Sequence, residues 1–148
     1  MRILMVCLGN ICRSPLAEGI LQSKVNTAIK VDSAGTAAYH VGELPDKRSI
    51  AVAKKYGIDL TNQRARKFTV KYFDTFDLIY AMDESNYQNI LALSRDKDDE
   101  QKVSMILNEV HPSSNEDVPD PYYGGNDGFE NVYQMLDEAC TIIADKIK

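Results

Sequence analysis

Met1-Arg2-Ile3-Leu4-Met5-Val6-Cys7-Leu8-Gly9-Asn10-Ile11-Cys12-Arg13-Ser14-Pro15 opens the chain, and its reading sets the architecture. Met1 to Val6 is a short apolar run with turn chemistry directly behind it, so it reads as a buried strand. Gly9 and Asn10 are the residue types best able to take positive φ, so the chain can curl there and aim successive backbone N–H groups inward. Ser14 is a good N-cap and Pro15 suits a first helical position, which predicts a helix from that point. Together these parts make an anion cradle: inward amides, a helix N-terminus, and an Arg13 guanidinium matched to phosphate oxygens. A cysteine at the mouth of such a loop, Cys7, is favoured as a thiolate nucleophile. The bland alternative is a strand–turn–helix corner with two buried thiols and a surface arginine. A strand before the loop and a helix start after it favour the chemical reading.

Apolar strands and amphipathic helices alternate along the rest of the chain. Residues 15–27 place Leu16, Ile20 and Leu21 on one helical face. Lys30 to Ser33 reads as a second short strand ending at the Gly35 turn, and Pro45 to Tyr56 as a helix stopped by Gly57. Phe76 to Met82 is a third, near-continuously apolar strand, after which Asp83 or Ser85 caps a helix carrying Ile90 and Leu91. Arg95 to Lys102 reads as charged surface, Val103 to Leu107 as a fourth strand, and Pro112 to Gly128 as a loop. Phe129, Val132, Tyr133, Leu136, Cys140, Ile143 and Ile147 recur at i, i+3, i+4 spacing and predict a long final helix, with Cys140 in its core stripe. The expectation is an α/β protein with one domain over residues 1–148. It is a three-layer sandwich, with a four-stranded parallel twisted sheet and helices on both faces. Ligands then sit at the carboxyl ends of the strands, where the Cys7 loop lies.

Composition narrows the classes. The chain has 148 residues, enough to bury a core without disulfides, with 44% hydrophobic and 26% charged content. A formal net charge of −5 argues against nucleic-acid binding, so attraction for an anion must be local to the loop. Three cysteines, two of them in one loop, are not a secreted disulfide framework. The N-terminal apolar run is too short for a signal-peptide core, and no segment is long and apolar enough for a membrane span, so a reducing cytoplasm is expected. His40 and His111 are the only histidines and belong to no metal-like cluster, and nucleotide-binding glycine motifs are absent, so no metal or cofactor is expected.

The Cys7–Pro15 stretch resembles the signature of the low-molecular-weight protein tyrosine phosphatase family. The resemblance continues through Asp32-Ser33-Ala34-Gly35-Thr36, Val41-Gly42 with Pro45-Asp46, Ala65-Arg66, Met82-Asp83-Glu84-Ser85-Asn86 and Asp120-Pro121-Tyr122-Tyr123-Gly124, in the family's order and over nearly the whole chain. It implies a flavodoxin-like or Rossmann-like fold and hydrolysis of phosphotyrosine on protein substrates, and of small aryl phosphates, through a phosphocysteine on Cys7. Inorganic phosphate would be product and inhibitor. Arg13 would grip two phosphate oxygens, within a loop of Leu8, Gly9, Asn10, Ile11, Cys12 and Ser14. Ser14 can donate its hydroxyl to the thiolate, and by resemblance the Asn10 side chain ties the loop into shape. Family precedent gives Cys12 to a disulfide that shields Cys7 from irreversible oxidation; a buried spectator thiol is the alternative.

Expelling an alkoxide or phenoxide needs an acid to protonate the leaving oxygen. Asp120, stiffened by Pro119 and Pro121, sits in an Asp-Pro pair that is also a common turn dipeptide. The resemblance, by its place in the family's second signature, makes it the acid, and it would then act as base on the hydrolytic water. Tyr39, His40, Tyr122 and Tyr123 are assigned by resemblance to the pocket rim, with Leu8 and Ile11 adding apolar wall. Ser33 and Asp83 would brace the loop from behind. Gln63 stands where many members carry histidine, which removes any histidine-based tuning near Asp120. Ile11, where phosphoarginine phosphatases tend to carry threonine, favours phosphotyrosine. An arsenate reductase on the same scaffold needs a further cysteine pair after the third strand, and residues 80–100 contain no cysteine. A phospho-binding module without catalysis would not need Asp120.

Overall fold

β1 (Arg2–Cys7) is apolar on both faces because both faces are covered: Ile3, Leu4, Met5 and Val6 are fully buried. It is flanked by β2 (Lys30–Gly35) and β3 (Leu78–Ala81), with β4 (Val103–Met105) beyond, giving the order β2-β1-β3-β4 with every pairing parallel. The computed structural model describes residues 1–123 and 126–147.

Strand pleating sends alternate side chains to opposite layers. Ile3 and Met5 join Leu16, Ile20 and Leu21 of α1 (Arg13–Lys24) and the apolar stripe of α6 (Asn126–Ile147). Leu4 and Val6 face Phe68, Phe73, Phe76 and Ile90 on the other side. Parallel neighbours need crossovers, and helices supply them: α1 joins β1 to β2, while α2 (Lys47–Lys55) and α3 (Tyr72–Thr75) lie between β2 and β3. α4 (Glu84–Leu91) and α5 (Lys97–Gln101) lie between β3 and β4. The chain runs outward from β1 to β2 and then returns past β1 to β3. The reversal point therefore falls at the carboxyl end of β1, where Cys7 stands.

The predicted α/β sandwich is present, with local corrections. Arg95–Lys102 is not simply solvated surface, because Asp96 caps α5 and Asp99 is buried, accepting from the backbone N and Nε of Arg95. The last predicted strand ends at Met105, and Ile106–Glu109 winds into a 3₁₀ turn. The Pro112–Gly128 loop is shorter than expected, containing a 3₁₀ turn at Pro121–Tyr123 and giving way to α6 at Asn126. Four residues make α3, placed by edge-to-face contacts among Phe68, Tyr72, Phe73 and Phe76 rather than by any helical period. Among the described residues no helix is long and apolar enough to cross a membrane.

Candidate active site

The loop between β1 and α1 is held from outside through its carbonyls. Thr36 N–H donates to Cys7 O (2.9 Å), Ala37 N–H to Leu8 O (3.0 Å) and Asp46 N–H to Ile11 O (2.8 Å). In a trans peptide the N–H points opposite the carbonyl, so the amides of Leu8, Gly9 and Cys12 are turned toward the concave side. Asn10 alone among the loop residues takes positive φ (59°). Gly9 was expected to share that role; its φ is not positive, and a Cβ there would crowd His40 Cδ2 at 3.1 Å. Gly35 serves a similar end, because a Cβ would meet Leu8 O at 2.7 Å.

Asn10 is buried and ties three segments together. Its Nδ2 donates to Ser14 Oγ (2.8 Å) and Ser33 Oγ (3.0 Å), and its Oδ1 accepts from Arg66 N (3.0 Å). Ser14 is not the N-cap predicted from its residue type: α1 begins at Arg13 after Cys12, with no side-chain cap. Its hydroxyl is used elsewhere, 3.0 Å from Cys7 Sγ. Because Ser14 Oγ accepts from Asn10, its single hydrogen is available to the sulfur. Pro15 is the third residue of α1, within the first turn, where the N–H has no intrahelical partner to lose.

Arg13 is almost wholly buried. Its Nη1 donates to Asp83 Oδ2 (2.7 Å) and Val118 O (2.9 Å), leaving the Nε–Nη2 edge for two oxygens of a ligand. Burial disfavours its charge, but negative charge at Cys7 and the Asp83 carboxylate more than compensate and raise its pKa further. Asp83 has two tasks, since its Oδ1 also caps α4 through Asn86 N (2.7 Å). Val118 N–H donates to Met82 O (2.8 Å), so the segment leading to Asp120 is docked on the end of β3 and on Arg13 together. Asp120 Oδ2 then lies 3.8 Å from Arg13 Nη2, and its Oδ1 accepts from Tyr122 N (3.0 Å) in a tight turn.

These groups enclose a pocket of about 170 Å³. Cys7, Gly9, Cys12 and Arg13 form its floor, Leu8, Ile11, Tyr39, His40 and Tyr122 its walls, and Asp120 one edge. Tyr39 is 75% exposed and stands up from the rim, whereas His40 is pinned by Glu43 Oε2 (2.8 Å from Nδ1). The expectation for the Tyr123 side chain lies outside the described residues. Cys12 is buried, and its thiol is pushed up to about 12, mainly by burial and then by the negative charges of Asp46, Cys7 and Asp120. It stays a neutral thiol at physiological pH. All three cysteines are free, and Cys140 is sealed against Ala17 O in the α1–α6 core.

Residues 2–148 match the family model described as low molecular weight phosphotyrosine protein phosphatase. The chain belongs to that family. It is 43% identical to the low molecular weight phosphotyrosine protein phosphatase of Schizosaccharomyces pombe, over 91% of this chain and 89% of that one. A solved protein tyrosine phosphatase from Entamoeba histolytica superimposes with a TM-score of 0.91 at 36% identity, covering 99% of this chain and 96% of its own. The YwlE arginine phosphatase is similar at 27% identity and a TM-score of 0.88, covering 99% and 95%. The named relatives of this low molecular weight phosphatase are hydrolases.

Sequence reasoning missed several supports of this phosphatase loop. Ser33 donates to Glu18 Oε1 (2.7 Å), so a carboxyl on α1 ends the chain Cys7–Ser14–Asn10–Ser33. The only signal was an acidic residue beside the apolar face of Leu16 and Ile20. Gln63 belongs to the same region rather than to Asp120: its Nε2 donates to Pro15 O (3.0 Å) and it lines a cleft with Glu18, Asp32 and Ser33. Its Oε1 is buried without a hydrogen-bond partner among the described residues.

Burial pushes the half-buried Glu18 carboxyl up to about 7; the Ser33 hydrogen bond opposes this, Asp32 adds to it, and Arg66 and Lys30 reduce it. Below its ordinary value of 4.5 the group is protonated in folded and unfolded chains alike. Between there and about 7 the folded protein keeps a proton that the unfolded chain releases, so stability falls as pH rises. The full penalty, on the order of 2–3 kcal/mol, is present above that window. Glu18→Gln keeps an oxygen for Ser33. It is expected to raise Tm by roughly 5 °C at pH 8 and hardly at all near pH 4. Thermal unfolding at the two pH values checks this, and an equal shift at both would exclude titration as the cause.

Proposed function

We propose that this chain is a protein-tyrosine phosphatase that hydrolyses phosphotyrosine, and small aryl phosphates, in two displacement steps at Cys7. The observation that carries the reading is the meeting of Cys7, Arg13 and Asp120 around one small pocket with aromatic and aliphatic walls. In the first step the Cys7 thiolate attacks phosphorus, the inward amides and the Arg13 Nε–Nη2 edge take up the equatorial oxygens, and Asp120 delivers its proton to the departing phenol oxygen. In the second, Asp120 takes a proton from water as it attacks the phosphocysteine, and the Ser14 hydroxyl stabilises the departing thiolate. Inorganic phosphate leaves. Cys7 must be reduced for this, so the proposal includes a reducing compartment.

Phosphoarginine is the second reading, supported by the likeness to an arginine phosphatase. Ile11 weighs against it by placing a branched apolar side chain in the wall where that activity goes with threonine, and Tyr39 and Tyr122 offer faces for a phenyl ring. Arsenate reduction lacks a relay, since Cys140 is sealed in the core. The test is a panel run with a metal chelator present: para-nitrophenyl phosphate, a phosphotyrosine peptide, a phosphoarginine peptide and arsenate with a thiol reductant. The first two are expected to turn over and the last two to give under ~1% of that rate. A phosphoarginine rate above the phosphotyrosine rate would reverse the assignment.

A further inference from the structure

Arg48, at the second position of α2, reaches across to the segment that carries Asp120. Its Nη1 donates to Tyr122 O (3.3 Å), and its guanidinium lies over the rings of Tyr122 (5.3 Å) and Phe129 (4.6 Å). The same group is clamped from behind by Asp46, which takes Nε on Oδ1 and Nη2 on Oδ2, both at 3.1 Å. Asp46 is anchored in turn, its backbone N–H bonded to Ile11 O of the phosphate loop. A continuous linkage therefore runs from the loop floor through Asp46 and Arg48 to Tyr122, whose N–H holds Asp120 Oδ1. On its other side the Asp120 turn is docked by Val118 on Met82 and Arg13.

As a mere surface ion pair this arrangement would be worth little, since exposed pairs are well solvated and screened by salt. Its geometry argues for more than that. One planar cation sets the distance between α2, the 3₁₀ turn at Pro121–Tyr123 and the first turns of α6, and only a fork can hold Asp46 while stacking on two rings. Proton delivery tolerates little displacement, because about 1 Å of misplacement is enough for a ~10²-fold loss.

We infer that Arg48 is a positioning residue for proton transfer: it fixes the Asp120 carboxyl over the leaving-group oxygen without itself touching substrate. The inference rests on Asp120 being the acid. It goes beyond that reading by assigning the acid's placement to α2 as well as to Arg13.

The test is a series of aryl phosphates of graded leaving-group acidity, measured for the parent, Arg48→Ala, Arg48→Lys, Asp120→Ala and the Arg48→Ala/Asp120→Ala double variant, with phosphate inhibition and unfolding midpoints alongside. Arg48→Ala is expected to lose roughly 10-fold on phenyl phosphate and a phosphotyrosine peptide. It should lose less than about twofold on a nitro-substituted phenyl phosphate that needs no proton, with the phosphate inhibition constant within about twofold of the parent. Lysine cannot reproduce the fork, so Arg48→Lys should resemble Arg48→Ala while keeping the charge. The double variant should be no slower than Asp120→Ala alone. A uniform loss on every substrate, weakened phosphate inhibition, an additive double variant or no effect would each overturn the inference. An unchanged leaving-group dependence in Asp120→Ala would remove the acid assignment, and this inference with it. That outcome is distinct from a normal Asp120→Ala result beside an unaffected Arg48→Ala.

Discussion

Cys7→Ser is expected to lower turnover by roughly 10³-fold or more, while phosphate or vanadate still binds in the loop. The substitution is nearly isosteric, and the neighbours that shape the cradle are untouched: Asn10 still bridges Ser14, Ser33 and the Arg66 backbone. What changes is the nucleophile, because a serine hydroxyl stays protonated at neutral pH where a thiol can ionise. Ser14, at 3.0 Å, is itself an acceptor of the Asn10 amide and so offers its hydrogen rather than removing one. Arg13→Lys is expected to fail by about 10²–10³-fold, for a different reason. The guanidinium satisfies Asp83 and Val118 O with one nitrogen and still presents a two-pronged edge to the pocket. A lysine ammonium can hold Asp83 or meet the phosphate, but not both in that geometry. Phosphate inhibition separates the two variants: it should persist in Cys7→Ser and weaken strongly in Arg13→Lys. Near-normal turnover in Cys7→Ser would end the phosphocysteine mechanism.

Asp120→Ala should give the second large effect, about 10²–10⁴-fold on phosphotyrosine, because a phenol of pKa near ~10 leaves poorly as an anion at neutral pH. Substrates with more acidic leaving groups should suffer progressively less in the phosphorylation step. Asp120 also accepts from Tyr122 N, so alanine removes both a proton donor and a turn contact. Asp120→Asn separates these, since its amide oxygen can keep the Tyr122 bond but the group cannot act as an acid. If proton donation is the cause, asparagine and alanine should show the same steep dependence of single-turnover phosphorylation on leaving-group pKa. Recovery of parent-like rates in Asp120→Asn would mean that the turn, not the proton, matters.

β1 and α6 are legible in the sequence because each carries its burial in a local pattern, one as an unbroken apolar run and the other as a stripe at i, i+3, i+4. Asp83 announces α4 as a cap in the same local way, whereas the helix read from Pro45 starts only at Lys47, after its cap Asp46. α3 and α5 escape such reading. At four and five residues they hold no full period, and they are set by ring packing and by the Asp96 cap. Ser14 misleads for a related reason: its residue type favours capping, but a nearby sulfur and Asn10 claim the hydroxyl.

The chain by itself therefore determines the chemistry of the loop: a cysteine and an arginine held on one strand–turn–helix corner, in a scaffold that places the corner at the carboxyl end of a parallel sheet. Those properties depend on neighbours in sequence, where φ preference, apolar period and residue type suffice. Only the tertiary structure decides how Arg13 divides its hydrogen bonds, that Val118 brings Asp120 within 3.8 Å of it, and that Arg48 reaches Tyr122. It also decides that Glu18 ends the network behind Cys7 with its carboxyl pushed up to about 7. Arg13 and Val118 are 105 positions apart, and Arg48 and Tyr122 74. A hydrogen bond across such a separation leaves no periodicity in the sequence, because its partners meet only once the sheet and its covering helices have closed around them.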